Sequence, residues 1–180
     1  MVASLTAAVQ KRGLIMYDKH FFLNDTEQDR DQTGLLTYAT EQTMREVYMK
    51  VEQIVVEEAD AMALMTAFNR IGNVWVGEDY RTLTNILRGE WGFKGMTITD
   101  GQNGYMKNAR MIRGGGDMAL AMLGKIDMDV TSDWAKNDPT NIYCLREAAK
   151  NILYVVAQSN VMNHVTTYAD DTAARNDLGC

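Results

Sequence analysis

One stretch constrains the fold more than any other: residues 92–100, GFKGMTITD, where an apolar and β-branched run ends at a carboxylate. Such a run is typical of a strand in a parallel sheet that helices cover on both faces. The glycines that follow, Gly101 and Gly104, allow the chain to turn away sharply. In a β/α barrel, the C-terminal end of a strand is the usual place for a catalytic side chain. Asp100 could instead cap the next helix, because Asp is a favoured N-cap.

The remainder of the chain alternates between helical and strand patterns. The apolar spacing predicts helices over 2–12, 40–59, 79–90, 105–113 and 141–160, and strands over 14–17, 61–69 and 114–120 besides the strand that ends at Asp100. Alternation of this kind predicts parallel βαβ units. The predicted fold class is therefore α/β, with parallel (β/α) units that form about half of a TIM-type barrel. Residues 1–163 would be this partial barrel domain, and the polar residues 164–180 a tail or linker.

The composition excludes several classes of partner. The chain has 180 residues, 46% of them hydrophobic, which suits one domain with a sizeable core. A net charge of −6 argues against nucleic acid or an anionic membrane as the main partner. The apolar runs are too short to span a bilayer, and the first residues do not resemble a signal peptide. Cys144 and Cys180 make no disulfide pattern, so we expect a reducing, cytoplasmic location.

Other polar segments carry weaker signals. The loop over 24–38 is either a solvated connection or, because of its length, a functional loop. Asp127, Asp129 and Asp133 lie in an acidic loop over 124–139, which lacks the Gly and the terminal Glu of a calcium loop. The glycines at 114–116 do not form a nucleotide-binding pattern. We therefore predict no metal site and no cofactor.

Six blocks of sequence occur in a characteristic order. The blocks are Lys19-His20-Phe21 with Asn24 and Glu27, Arg45 to Tyr48, Met65 to Arg70, Leu87 to Gly95, Thr99-Asp100, and Gly115 to Met118. In this order they resemble glycoside hydrolase family 3, the β-glucosidase family. The resemblance extends from about residue 3 to 163, and its most specific part is LRGEWGFKG followed directly by a strand that ends in Asp.

The resemblance implies a role for five residues. It implies that the chain holds strands five to eight of a β/α barrel, and that Asp100 is the nucleophile of a retaining mechanism. Lys19 and His20 would bind hydroxyls of the sugar in the −1 subsite, and Met65 and Phe68 would line that subsite. From the residues alone, Lys19 and His20 could be an ordinary pair, and Met65 and Phe68 could be core residues.

Two positions differ from the usual family pattern. Family members more often carry Tyr where this chain has Phe68, and Trp where it has Gly101, which leaves the aglycone contacts open. Residues 22–25, FLND, stand where the N-acetylglucosaminidases of the family carry Pro-Gly-His, so the chain is more similar to the glucosidase branch.

The predicted function is that of a fragment of a glycoside hydrolase, a β-glucosidase that removes terminal non-reducing β-D-glucosyl residues from a β-glucoside or oligosaccharide. A retaining mechanism needs a second carboxyl group, which the family usually takes from a second domain. We therefore expect the isolated chain to be inactive.

A half barrel would leave open sheet edges and an uncovered apolar face, so we expect a homo-oligomer, or pairing with a missing half-barrel and C-terminal domain. The alternative is a non-catalytic half-barrel scaffold or a sugar-binding unit.

Overall fold

A four-stranded parallel sheet forms the centre of the molecule. The computed structural model describes residues 1–31, 34–121 and 128–163. The central sheet has the strand order β1-β3-β6-β7, and a small second sheet has the order β2-β4-β5. The strands are β1 (Tyr17–Phe21), β2 (Leu36–Thr37), β3 (Ala63–Thr66), β4 (Arg70–Ile71), β5 (Val74–Trp75), β6 (Met96–Gly101) and β7 (Met118–Leu120).

Helices connect the parallel strands, as the alternating pattern predicts. They are α1 (Val2–Gln10), α2 (Glu41–Thr43), α3 (Lys50–Ala59), α4 (Asn108–Gly114), α5 (Ser132–Asn137) and α6 (Pro139–Gln158). Two segments, Met44–Tyr48 and Arg81–Glu90, are π-helical, and two, Val76–Glu78 and Asn160–Asn163, are short 3₁₀ helices. The wider spacing is visible after the second π-helical segment, where Trp91 N donates to Ile86 O, five residues earlier, at 3.0 Å.

The first strand differs from its prediction. We expected it over 14–17, but β1 begins at Tyr17, and Leu14 is largely exposed. The charged residues after Tyr17 do not end the strand, because Asp18 is buried with a partner. Thr6 Oγ1 of α1 donates to Asp18 Oδ1 at 3.1 Å, which satisfies part of the carboxylate. Lys19 and His20 therefore lie within the strand instead of after it.

Besides the loop over 24–38, which contains β2, two further predicted loops contain regular structure. The segment 71–77 takes part in the antiparallel hairpin of β4 and β5 and begins the 3₁₀ helix Val76–Glu78. The described end of the acidic loop forms α5, whose first turn is capped by Thr131 Oγ1 accepting from Trp134 N at 3.1 Å. Hydrogen bonds between near neighbours in the chain stabilise both segments. The spacing of apolar residues gives no signal for such bonds, so it did not predict these elements.

The register of the sheet defines its two faces. Asp18, Leu64 and Thr97 are aligned across β1, β3 and β6, and Leu64 packs among apolar side chains of α1, α3 and the helix Arg81–Glu90. This is the helix face. The next row, Lys19, Met65 and Ile98, therefore points to the opposite face, which we call the inner face.

The inner face is partly covered by α6. Ala63 and Met96, near the N-terminal ends of β3 and β6, pack with Ile152 and Val155 of that helix. Just beyond α6, Asn160 N donates to Gly13 O at 2.9 Å. The sequence predicted an uncovered apolar face, but α6 covers the inner face at the N-terminal end of the sheet.

The described strands form an open, mostly parallel α/β sheet with β1 and β7 at its edges, consistent with part of a TIM-type barrel. The described part of the chain does not form a closed barrel. Within the described ranges, no helix is both long and apolar enough to cross a membrane. The predicted tail over 164–180 lies outside the described residues.

Candidate active site

Asp100 lies at the C-terminal end of β6, where the sequence places it. Its Oδ1 accepts from Gly101 N at 2.7 Å, and its side chain is 17% exposed. Asp100 does not cap the next helix, because α4 begins only at Asn108. The carboxylate of Asp129 instead accepts from Ala109 N, in the first turn of α4, at 3.1 Å. The capping interpretation of Asp100 is therefore wrong for α4, and its Oδ2 faces the site.

His20 reaches Asp100 because β1 is irregular. Lys19 pairs with Met65 and Phe21 with Thr66, so His20 is one extra residue opposite β3. A bulge of this kind changes which side the following residues face. Phe21 returns to the helix-face core, and Nε2 of His20 lies 3.2 Å from Asp100 Oδ2.

The pKa of His20 is shifted by its surroundings. Burial lowers the pKa below its usual value, and the positive charges of Lys19 and Arg30 act in the same direction. The negative charges of Asp100 and Glu27 oppose this shift. The net direction is downward, which favours a neutral imidazole at neutral pH.

Lys19 and Met65 are direct cross-strand neighbours on the inner face. Lys19 is exposed and Met65 half-buried. Among the described residues, the basic group within 4 Å of the Asp100 carboxylate is the ring nitrogen of His20 and not the ammonium of Lys19. Lys19 is therefore an exposed residue of the inner face.

Phe68 follows β3, and its ring is almost wholly covered, with 7% exposure. The guanidinium of Arg30 lies 4.8 Å from the ring centroid, a cation–π distance. Tyr105 Oη donates to Phe68 O at 2.7 Å, which fixes the backbone at this position. Phe68 therefore packs in a core cluster with Trp75 and Met106 and lies under Arg30, instead of forming an open wall.

A hydrogen-bonded network surrounds His20 on the side away from Asp100. Asn24 Nδ2 lies 3.3 Å from His20 Nδ1 and donates to Glu27 Oε1 at 3.2 Å. Arg30 donates from Nη1 to Asn24 Oδ1, and its Nη2 lies 2.8 Å from Glu27 Oε2. Sequence analysis missed Arg30, for which the only signal was the density of charge in the loop over 24–38.

This loop is fixed to the carboxyl edge of the sheet. Asn103 Nδ2 donates to Asp31 O at 2.6 Å, and Asn69 Nδ2 donates to Thr26 O at 3.2 Å. Tyr105 Oη also lies 3.4 Å from Arg30 O. Side chains that follow β3 and β6 thus hold residues 26–31 of this segment against the edge of the sheet.

A separate cleft of about 710 Å³ lies between the helices and the hairpin of β4 and β5, lined among others by Tyr38, Arg45, Ile71 and Asp79. It contains no predicted site residue, so the site is defined by the Asp100 and His20 contact instead.

Of the three acidic residues considered for metal binding, Asp129 binds a backbone N–H, Asp133 lies in the first turn of α5, and Asp127 lies outside the described residues. The described residues contain no group of three or more His, Cys, Asp or Glu side chains placed for a metal.

The parallel β/α sheet, with Asp100 paired to His20 at its carboxyl edge, is consistent with part of a β/α-barrel protein. The chain belongs to glycoside hydrolase family 3: residues 1–167 match the family described as "Glycosyl hydrolase family 3 N terminal domain". The resemblance seen in the sequence is thereby confirmed.

The relatives are named as β-glucosidases. The chain is 28% identical to β-glucosidase B of Emericella nidulans over 171 residues, which are 92% of this chain and 19% of that protein. It is 31% identical to β-glucosidase A of Butyrivibrio fibrisolvens over 66% of this chain and 14% of that one. The chain thus spans less than a fifth of the length of these relatives.

Solved structures show the same fold. The Bifidobacterium adolescentis family 3 β-glucosidase superposes with a TM-score of 0.80 at 23% identity, over 97% of this chain and 26% of that one. β-Glucosidase 3B of Thermotoga neapolitana in complex with glycerol gives a TM-score of 0.79 at 23% identity, over 90% and 23% of the two chains.

Proposed function

We propose that this chain carries the nucleophile half of a retaining β-glucosidase site, with Asp100 as the nucleophile. The observation that supports this most is the contact of 3.2 Å between Asp100 Oδ2 and His20 Nε2 at the carboxyl edge of the sheet. A nucleophile must be held in one orientation toward the anomeric carbon. The Gly101 N–H and His20 hold the two oxygens of Asp100 from different sides.

The remaining residues have roles in binding the glucosyl unit. Lys19, exposed on the inner face, would donate hydrogen bonds to sugar hydroxyls, and His20 would act in the same subsite by holding Asp100. Met65, beside Lys19, would supply an apolar contact to the ring. Phe68 would act from beneath the site, by supporting Arg30 and the loop over the edge. The relatives' names support a β-glucoside as the substrate.

The general acid must come from elsewhere in this proposal. Retaining hydrolysis needs two carboxyl groups about 5–5.5 Å apart, one on each side of the bond. Near His20, Glu27 is already engaged by Asn24 and Arg30. We therefore expect negligible hydrolysis of a p-nitrophenyl β-glucoside by the pure chain. Measurable turnover, unaffected by Asp100→Asn, would contradict the assignment.

The decisive experiment is covalent labelling. An activated 2-deoxy-2-fluoro-glucoside reacts with the nucleophile and needs little help from the acid. The expected result is a mass increase on the peptide that contains Asp100, absent from Asp100→Asn and retained in a variant of an exposed carboxylate, Asp133→Asn. A folded chain with no adduct would favour the non-catalytic scaffold or sugar-binding function.

The open sheet supports a proposal about assembly. β1 and β7 are edge strands, and Leu120 at the second edge is 38% exposed. Edge strands with exposed apolar side chains tend to pair with another chain. We expect either a dimer or an association with the rest of a barrel. Light scattering at two concentrations that shows only monomer would contradict the dimer.

A further inference from the structure

We propose that Asn24, oriented by Arg30, is a positioning residue that holds His20 in the tautomer with its proton on Nε2, facing Asp100. The inference deepens the proposed function, on which its catalytic consequence rests. The side-chain amide of Asn24 contacts a cation, a carboxylate and an imidazole at once.

The two charged neighbours fix the orientation of the amide. A guanidinium has only donors, so the Asn24 atom that Arg30 Nη1 contacts must be the oxygen. An ionised carboxylate has only acceptors, so the atom 3.2 Å from Glu27 Oε1 must be the nitrogen. Both contacts require the same orientation, and Arg30 and Glu27 are themselves joined at 2.8 Å.

The amide in turn fixes the imidazole. Asn24 Nδ2 can only donate, so His20 Nδ1, at 3.3 Å, must be the acceptor. A neutral imidazole carries one proton, which must then be on Nε2. That nitrogen lies 3.2 Å from Asp100 Oδ2, so the carboxylate faces an N–H instead of a lone pair.

Arg30 can orient the amide of Asn24 because its own guanidinium is held in place. The side chain of Arg30 is 15% exposed and lies over the face of Phe68 at 4.8 Å. The packing holds Arg30 in place before any ligand arrives. This assigns Phe68 an indirect function: it supports the residue that orients Asn24.

The tautomer affects the nucleophile directly. With the proton on Nε2, His20 stabilises the carboxylate of Asp100 and leaves its negative charge available for attack. With the proton on Nδ1, a lone pair would face that carboxylate and repel it. The charged groups around the ring are Asp100 and Glu27, which are negative, and Lys19 and Arg30, which are positive.

The test uses the imidazole itself. The chain has two histidines, so His164→Gln leaves His20 as the only imidazole. Long-range ¹H–¹⁵N correlation spectra of the ¹⁵N-labelled protein at pH 7.5 distinguish the two neutral tautomers from imidazolium. The expected result is neutral His20 protonated at Nε2. A ring protonated at Nδ1, or an imidazolium at that pH, would overturn the proposal without any variant of Asn24.

Asn24→Asp replaces the donor beside Nδ1 by an acceptor of the same shape. The ring should then be held as imidazolium between two carboxylates, and the pKa of His20 should rise by about 1 to 3 pH units. Asn85→Asp makes the same change on an exposed side chain of the helix Arg81–Glu90 and should leave His20 unchanged. An unchanged tautomer and pKa in folded Asn24→Asp would overturn the proposal.

Labelling of Asp100 separates this inference from the proposed function. If His20 has the expected tautomer and Asn24→Leu labels at least tenfold more slowly than Asn85→Asp, both are supported. If the tautomer is as expected and wild type forms no adduct, the proposed function fails, while the assignment of Asn24 to the tautomer stands.

Discussion

His20 Nε2 lies 3.2 Å from Asp100 Oδ2 although β1 and β6 are not neighbours in the sheet. The intervening strand, β3, ends at Thr66, which is aligned with Thr99, so Asp100 lies one residue beyond the end of that strand. The contact depends on the extra residue in β1, because regular alternation would point His20 to the helix face with Asp18. An irregularity one residue long therefore completes the candidate site.

Removing the carboxylate should lower the pKa of His20. The negative charge of Asp100 opposes the downward shift caused by burial, so in Asp100→Asn the pKa should fall further. An NMR titration of His20 in the His164→Gln background measures this. Asp133→Asn, which changes an exposed residue of α5, serves as the control and should leave the titration unchanged. An equal or higher pKa in Asp100→Asn would show that the two side chains do not interact in solution.

Glu52→Gln should stabilise the protein at alkaline pH. Burial raises the pKa of Glu52 from 4.5 to about 7, the charge of Asp18 adds to the shift, and Glu52 Oε2 is buried with no hydrogen bond. Between about pH 4.5 and 7 the folded state keeps a proton that the unfolded state releases, so stability falls as pH rises through this window. The neutral variant should be more stable at pH 8, by up to about 3 kcal/mol, and equal to wild type near pH 4.5. Thermal unfolding at the two pH values measures the difference.

Glu58→Gln is the matched control for Glu52→Gln. It makes the same change on an exposed position of α3 and should alter the unfolding temperature little at either pH. If Glu52→Gln and Glu58→Gln behave alike at pH 8, the carboxyl of Glu52 is not buried in solution.

Asp117→Ala should destabilise the fold strongly. Asp117 is buried and accepts from Arg88 Nη2, Thr97 N and Asn151 Nδ2, which joins three elements of the chain. Removal of one partner of a buried pair leaves the other uncompensated and costs about 3–5 kcal/mol. Denaturant unfolding measures the loss.

The control for Asp117→Ala is a surface ion pair. Glu147 pairs with Lys150 on α6, and both side chains are substantially exposed. Because exposed pairs contribute about 0–1 kcal/mol, Glu147→Ala should change stability by no more than that. A loss below about 1 kcal/mol for Asp117→Ala would mean that the buried network is not formed.

Gly95→Ala should be destabilising for a steric reason. A Cβ at Gly95, just before β6, would lie 2.1 Å from Met62 O, which is a backbone atom that cannot move independently. The overpacking should cost about 1–3 kcal/mol or more. Gly104→Ala, where a Cβ would meet nothing within 4 Å, should be close to neutral in the same unfolding experiment. Equal stability of the two variants would contradict the close approach of Met62 and Gly95.

The sequence predicted the order of strands and helices because each element carries its own apolar pattern. It did not predict the start of β1, since the burial of Asp18 depends on Thr6, a partner in another element. The π-helical spacing before Trp91 also has no local signature in the pattern.

The candidate site, too, could be predicted from the sequence only in part. Asp100 and His20 could be named because they end or follow recognisable apolar runs and belong to blocks that resemble a family. The role of Arg30 could not, because it depends on how a polar loop folds back over Phe68. The burial of Phe68 could not be predicted either, since its neighbours come from distant parts of the chain.

The contacts of α6 have a consequence for biosynthesis. Asn160 Nδ2 binds Arg12 O, 148 residues earlier, and the helix before it supplies Ile152 and Val155 to the inner face. A ribosome releases all four parallel strands, the last ending at Leu120, before this helix is available. At about 5–20 residues per second, synthesis of the 40 residues from 120 to 160 takes roughly two to eight seconds. During that interval Ala63 and Met96 lack the cover that α6 gives them in the folded chain.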